Sequence, residues 1–278
     1  MQAVTPFDAT SEPLRSQTTP ALTYRVRRGG PETLVLLHGV GSSSATWAQL
    51  APLLDERYTV VMPDYRGHGS SDVPEVPYEL EDFVGDVVRL LDELELESVH
   101  LVGFSIGAIF AQAIAVEHPG RVASLVLLNS IAARTAAEKT RALERLEVIR
   151  SSDPAVVARD SVERWFTPAF AAERPDLVAA EVDIVSATRA EAYAASYHVL
   201  ATTDLIDSVA GITCPVLLIT GEHDRGSTPR MSREIQSRLP GAGLLVVDGR
   251  QHYLHIEVAQ LIADQINGFV RSHPTPHH

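Results

Sequence analysis

Ser105, Asp224 and His252 lie far apart in the 278-residue chain, yet each follows an apolar run that reads as a buried strand. They supply a hydroxyl, a carboxylate and an imidazole. A serine hydroxyl is a poor nucleophile at neutral pH and needs an imidazole to take its proton. The imidazole in turn needs a carboxylate to fix its tautomer and stabilise its charged form. Ser105 has the most informative setting: Leu101-Val102-Gly103-Phe104-Ser105-Ile106-Gly107-Ala108 runs from an apolar strand through Gly-x-Ser-x-Gly into an apolar helix. In that context a sharp turn lifts the serine hydroxyl out at the C-terminal edge of a sheet, with glycines where strand and helix crowd together. The free N–H groups at the start of the helix favour developing negative charge beside it. Taken alone, Gly-x-Ser-x-Gly is equally compatible with a tight turn, so the other two residues carry the argument.

Each of those two has competitors. His255 lies three residues beyond His252 but nearer the start of a helix, where a ring packs or caps, while His252 sits in the preceding loop and can swing toward Ser105. Glu222 and Asp248 compete with Asp224, which has the better position after its strand. The two histidines could instead bind a metal, but no further ligand follows at a typical spacing, so none is expected. His38-Gly39-Val40-Gly41-Ser42-Ser43 also empties from a buried strand. Loops of that kind present backbone amides to ligands, and the amides of Val40 and Ile106 are the expected oxyanion donors.

These loops require a particular scaffold. Thr33 to Leu37, Tyr58 to Met62, Ser98 to Val102, Val122 to Leu128, Pro215 to Thr220 and Leu244 to Val247 read as strands, the more apolar ones as strands covered on both faces. Helical patterns alternate with them: about Trp47 to Leu54, the amphipathic run Leu80 to Leu94, Ile106 to Glu117, Pro229 to Leu239 and Val258 to Val270. Alternation of this kind predicts an α/β fold, a mostly parallel sheet flanked by helices with right-handed crossovers. Leu22 to Val26 before the Arg27-Arg28-Gly29-Gly30-Pro31 turn reads as an edge hairpin. In Pro63-Asp64-Tyr65-Arg66-Gly67-His68-Gly69 the acid and base could pair with each other, and His68 reads as a turn residue. Between Ile131 and Leu205 strands are missing and alanine- and arginine-rich helical segments are broken by Pro154, Pro168 and Pro175. An all-helical insertion after the sixth strand is best read as a cap over the sheet edge. The expected division is a leader over 1–20 without order, a core over 21–130 and 206–271, a cap over 131–205 and a flexible tail over 272–278.

Composition bounds the rest. A formal charge of −13 argues against nucleic acid or an anionic membrane as partner. The first 20 residues lack the apolar core of a signal peptide, and no run is long enough to span a bilayer. The single cysteine, Cys214, excludes an internal disulfide and suits a cytoplasmic location, where it reads as a buried structural thiol. Nothing in the sequence specifies an oligomeric state.

His38-Gly39-Val40-Gly41-Ser42-Ser43, Asp64 to Ser71, Gly103-Phe104-Ser105-Ile106-Gly107, Gly221-Glu222-His223-Asp224 and His252 to Glu257 together resemble the α/β-hydrolase superfamily over about residues 22 to 270. The chain order Ser, Asp, His is the one found there. Softer signs are similar to 3-oxoadipate enol-lactonases: Asp72-Val73-Pro74 with Tyr78, Trp165 to Phe170, and Thr228-Pro229-Arg230-Met231. Where many relatives carry two glycines after the residue following the serine, this chain has Gly107 followed by Ala108, Ile109 and Phe110, which could tighten the elbow or reshape the pocket wall. The resemblance implies a serine hydrolase, without cofactor, opening a small lactone or ester, with 3-oxoadipate enol-lactone as the leading substrate. A carbon–carbon bond hydrolase of meta-cleavage products, a broad carboxylesterase and a non-catalytic receptor on the same fold are the alternatives. Such a lactone carries a free carboxylate, so a cation in the pocket is implied. Arg134, Arg164, Arg189 and Arg225 are the candidates, and Arg134 and Trp165 are the expected substrate-binding residues.

Overall fold

The computed structural model describes residues 12–275. An eight-stranded sheet forms its centre: β1 (Leu14–Arg15), β2 (Thr23–Arg27), β3 (Glu32–Leu37), β4 (Tyr58–Pro63), β5 (Val99–Phe104), β6 (Val122–Leu128), β7 (Val216–Gly221) and β8 (Gly243–Val247). The spatial order is β1-β2-β4-β3-β5-β6-β7-β8. β1 and β2 pair antiparallel at one edge, and every pairing from β4 through β8 is parallel. Because side chains alternate across a strand, the continuous apolar runs feed two cores. In β3, Val35 and Leu37 join the layer of Phe83, Val87 and Phe110 on one face, while Leu34 and Leu36 join Trp47, Leu50 and Ile262 on the other.

Helices α1 (Leu80–Glu93) and α2 (Ile106–Glu117) cover the first face, with α9 (Pro229–Arg238) beyond them. On the second face α10 (Leu254–Glu257) and α11 (Ala259–Arg271) follow β8, and α11 buries Ile262, Ile266 and Val270 at four-residue spacing. Trp47 to Leu54, expected to be one helix, is instead two 3₁₀ turns, Ser44–Ala48 and Ala51–Leu53. Pro52 has no N–H to continue a helical ladder, so the short connection breaks there. Ala108, Ile109 and Phe110 are all buried in the first-face core, Phe110 stacked on Phe83 at 4.6 Å, so they leave the pocket wall untouched.

Six helices lie between β6 and β7: α3 (Ala136–Ser151), α4 (Pro154–Arg159), α5 (Val162–Trp165), α6 (Pro168–Glu173), α7 (Pro175–Ser186) and α8 (Ala190–Thr202). The prolines that interrupt the pattern sit in the first turns of α4, α6 and α7, where a missing N–H costs nothing. α3 packs on α8 and α4 on α7.

Described residues at both termini make contacts with the core. Of the stretch expected to lack order, residues 1–11 lie outside the described residues, but Leu14–Arg15 pairs with β2, and Arg15 forms an ion pair with Asp72. In the tail, Thr275 bonds His100 at 3.1 Å, while 276–278 lie outside the described residues. Asp64 and Arg66 do not pair with each other. Asp64 accepts from the Ser44 amide and the Thr23 hydroxyl, whereas Arg66 turns outward to Asp86 (2.6 Å) and Asp82 (2.8 Å) on α1.

The cap meets the core through a buried polar chain. Thr46 Oγ1 donates to Glu181 Oε2 on α7 at 2.9 Å and shares a bond of 2.9 Å with His255 Nε2. Burial pushes the Glu181 carboxyl up to about 8, against the weaker opposing effect of the Thr46 bond. The folded chain therefore holds a proton there that the unfolded chain releases, and stability declines as pH rises from the ordinary carboxylate range toward 8. Glu181→Gln is expected to flatten that decline, which urea unfolding of both proteins at pH 5 and pH 8 checks.

Candidate active site

The first requirement of the site is the turn at Ser105. Its φ of 56° and ψ of −116° place it in a region that a non-glycine residue adopts only under constraint. The constraint is the close approach of α2 to both β5 and the end of β3. A Cβ on Gly103 would lie 2.4 Å from the Gly107 carbonyl oxygen, and one on Gly107 would lie 2.2 Å from that of Leu37. Ser105 donates its own N–H to Leu128 at the end of β6 (3.0 Å), and Ile106 opens α2 directly behind it.

The ends of β7 and β8 supply the second element. His252 Nδ1 donates to Asp224 Oδ2 at 2.6 Å. The other carboxylate oxygen accepts the amides of Gly226 (2.8 Å) and Ser227 (2.9 Å), so the loop after β7 wraps the acid. Burial raises the affinity of Asp224 for a proton, but the facing His252 and these hydrogen bonds outweigh it, leaving the carboxyl below its ordinary range. The ring of His252 rests on Phe104, the residue before the serine, with centroids 4.9 Å apart.

Ser105, Asp224 and His252 border one cavity of about 700 Å³, together with Val40, Trp165, Arg134 and Tyr193. The competing residues fall elsewhere. His255 is fully buried between Trp47 and Phe104, with burial pushing its pKa down to about 3, and Glu222 and Asp248 are exposed. Trp165 packs on Tyr253 at 4.9 Å, so its ring serves both the cap core and the cavity wall. Arg134 reaches the cavity, but its guanidinium is taken up by the carbonyls of Leu200 (2.7 Å), Thr203 (3.1 Å) and Ala201 (3.4 Å) at the C-terminal end of α8. Arg189, the first-turn flank of α8, does not border the cavity, while Arg225 does.

The sequence reading missed three contributors. His68, read as a turn residue, is buried, and its Nε2 accepts the Gly41 amide at 3.0 Å, which holds the loop carrying Val40. Asn129, just past β6, donates from Nδ2 to Asp224 Oδ2 at 2.6 Å. Its place at the end of an apolar strand, like that of Ser105, was the available signal. Arg145 on α3 faces Arg164 on α5, and each guanidinium donates to the single hydroxyl of Ser161, at 2.8 Å and 2.7 Å. Neither forms an ion pair among the described residues, and both border the cavity. Partial burial, followed by the like charge of Arg145, lowers the pKa of Arg164. Of the other acids on the wall, Glu138 is held by Arg230 at 2.6 Å and Glu144 is exposed. Nothing in sequence spacing 19 residues apart pairs the two arginines.

A family model described as alpha/beta hydrolase fold matches residues 32–259. A 3-oxoadipate enol-lactonase of Acinetobacter baylyi is 30% identical over 195 residues, covering 70% of this chain and 72% of its own. An (E)-2-((N-methylformamido)methylene)succinate hydrolase of the same species is 26% identical over 253 residues, covering 89% and 93%. The crystal structure of the enol-lactonase from Burkholderia xenovorans superposes with a TM-score of 0.87 at 28% identity, covering 93% of this chain and all of that one.

Asn129→Ala removes a donor from a buried carboxylate and is expected to cost about 1–3 kcal/mol in urea unfolding at neutral pH. A carboxyl held below its ordinary range stabilises the fold above that range and loses the effect as pH falls. The acid-side decline of the variant should therefore begin at higher pH than that of the wild type.

Proposed function

The chain belongs to the α/β-hydrolase family and is a hydrolase, and from that premise we propose that it opens a small carboxylate-bearing lactone or ester, with 3-oxoadipate enol-lactone as the leading substrate. The observation that carries this reading is the His252–Asp224 bond of 2.6 Å facing the same cavity as Ser105 in its constrained turn. Ser105 Oγ attacks the carbonyl carbon while His252 Nε2 takes its proton. Asp224 keeps the opposite ring nitrogen protonated and stabilises the imidazolium. The amides of Val40 and Ile106 receive the negative charge that develops on the carbonyl oxygen. Collapse breaks the ring C–O bond; His252 returns the proton to the departing enol oxygen, which remains tethered to the acyl group and relaxes to a ketone. A water deprotonated by His252 then attacks the acyl carbon, and His252 returns that proton to Ser105 Oγ as the acid leaves.

The Arg145–Arg164 pair supports an anionic substrate over a neutral one. Two guanidiniums sharing one hydroxyl repel each other, and a carboxylate between them would relieve that repulsion with charge-assisted hydrogen bonds. The relatives named above, an enol-lactonase of 3-oxoadipate and a succinate hydrolase, carry carboxylic acids in their substrate names, in keeping with this. Among the described residues no helix is long and apolar enough to cross a membrane. The reading includes a reducing, cytoplasmic location, in keeping with Cys214 as the single cysteine.

Loss of the lactone absorbance should proceed with kcat/KM of about 10⁴ M⁻¹s⁻¹ or more and vanish in Ser105→Ala. Cleavage of a neutral aryl ester without lactone turnover would retain the serine mechanism and discard the lactone. In the Arg145→Gln/Arg164→Gln double variant, KM for the acidic lactone should rise about tenfold or more while the neutral ester changes little.

A further inference from the structure

The backbone amide of His252 is bound from above, by the cap. The preceding residues belong to the core: the Arg250 carbonyl accepts the His223 amide (2.8 Å), and the Gln251 carbonyl accepts from Asn129 Nδ2 (3.4 Å). From there the attachment changes sides. The amides of His252 (3.1 Å) and Tyr253 (3.0 Å) both donate to one carbonyl, that of Trp165 at the end of α5. A helix-terminal carbonyl has no partner within its own helix, so these two amides satisfy it.

Glu257 locks this arrangement. Its side chain is fully buried although it ends the short α10. The Thr167 hydroxyl donates to Glu257 Oε1, the Thr167 amide approaches Oε2 at 3.5 Å, and Arg250 Nη1 donates to Oε1 at 2.8 Å. One carboxylate thereby joins a cap residue two positions after Trp165 to a loop residue two positions before His252. The Thr167 hydroxyl also accepts the Phe170 amide at 3.3 Å, which fixes the start of α6.

We infer that Glu257 is a positioning residue: through Thr167 and Arg250 it presses the Trp165 carbonyl against the His252 peptide and so sets where the imidazole points. Resting on the acyl-transfer reading above, this assigns the cap segment Trp165-Phe166-Thr167 the task of shaping the catalytic loop in addition to walling the pocket. A displacement of the imidazole by an ångström is enough to slow proton transfer severely without altering how substrate is bound.

The test is made on the full chain with Glu257→Ala, Glu257→Gln, Thr167→Val and the Glu257→Ala/Thr167→Val double variant. Two readouts are needed: aryl-ester kinetics, and the low-field proton resonance of the His252 Nδ1–H bonded to Asp224 in the free protein. Glu257→Ala and Thr167→Val should each lower kcat about tenfold with KM nearly unchanged and should shift or broaden that resonance. The double variant should be no worse than the poorer single one, because the two residues act as one unit. Glu257→Gln keeps an acceptor for Thr167 and should recover most of kcat. A lowered melting temperature with kcat and resonance unchanged would make Glu257 a stability residue only and overturn the inference. If Ser105→Ala retained ester turnover, the acyl-transfer reading would fail, while the resonance would still decide the role of Glu257.

Discussion

The near-contact of α2 with β5 and with the end of β3 is the constraint on which the rest of the molecule depends. Gly103 lets β5 approach α2, and Gly107 lets α2 approach the end of β3, until a single added methyl on either would overlap a backbone carbonyl. That proximity forces the residue between β5 and α2 into a conformation few L-amino acids adopt, and Ser105 takes it. The helix behind is almost entirely apolar and buried, so the strain is over-determined by packing that would have to unravel to relieve it. Placing the serine at this corner also fixes where its partners must come from. The parallel strands on its far side, β6, β7 and β8, end at the same edge and offer Asn129, Asp224 and the His252 loop.

Around that corner several polar groups are held by more than one partner. Asp224 spends one oxygen on two amides of its own loop and the other on His252 and Asn129. Such full satisfaction is what makes a buried carboxylate tolerable, since an unpaired one would be costly. The glycine-rich loop after β3 is closed in the same way, by His68 from the core at the Gly41 amide and by Thr188 from the cap at the Gly41 carbonyl (2.7 Å). The cavity wall differs. Arg145 and Arg164 converge there on the hydroxyl of Ser161, and neither forms an ion pair among the described residues.

The cap therefore does two kinds of work on one set of helices. α3 and α5 present the arginine pair to the cavity, while the turn between α5 and α6 meets the histidine loop through Trp165 and Thr167. Glu181 adds a third junction deeper in, through Thr46 to His255.

By itself the sequence determined the strand-and-helix alternation, the Ser105 corner and the helical insertion between β6 and β7, because these depend on periodicity and on position after an apolar run. Those signals are local, and the packing agrees with them. Tertiary structure decided what the charged side chains do. Arg66 turned from Asp64 to α1, Arg134 was absorbed by helix-end carbonyls, His68 became a support for a loop 27 residues away, and Arg145 met Arg164 over Ser161. A long flexible side chain can satisfy itself on many partners, and which one it finds depends on how helices cross in space, information that no spacing along the chain contains.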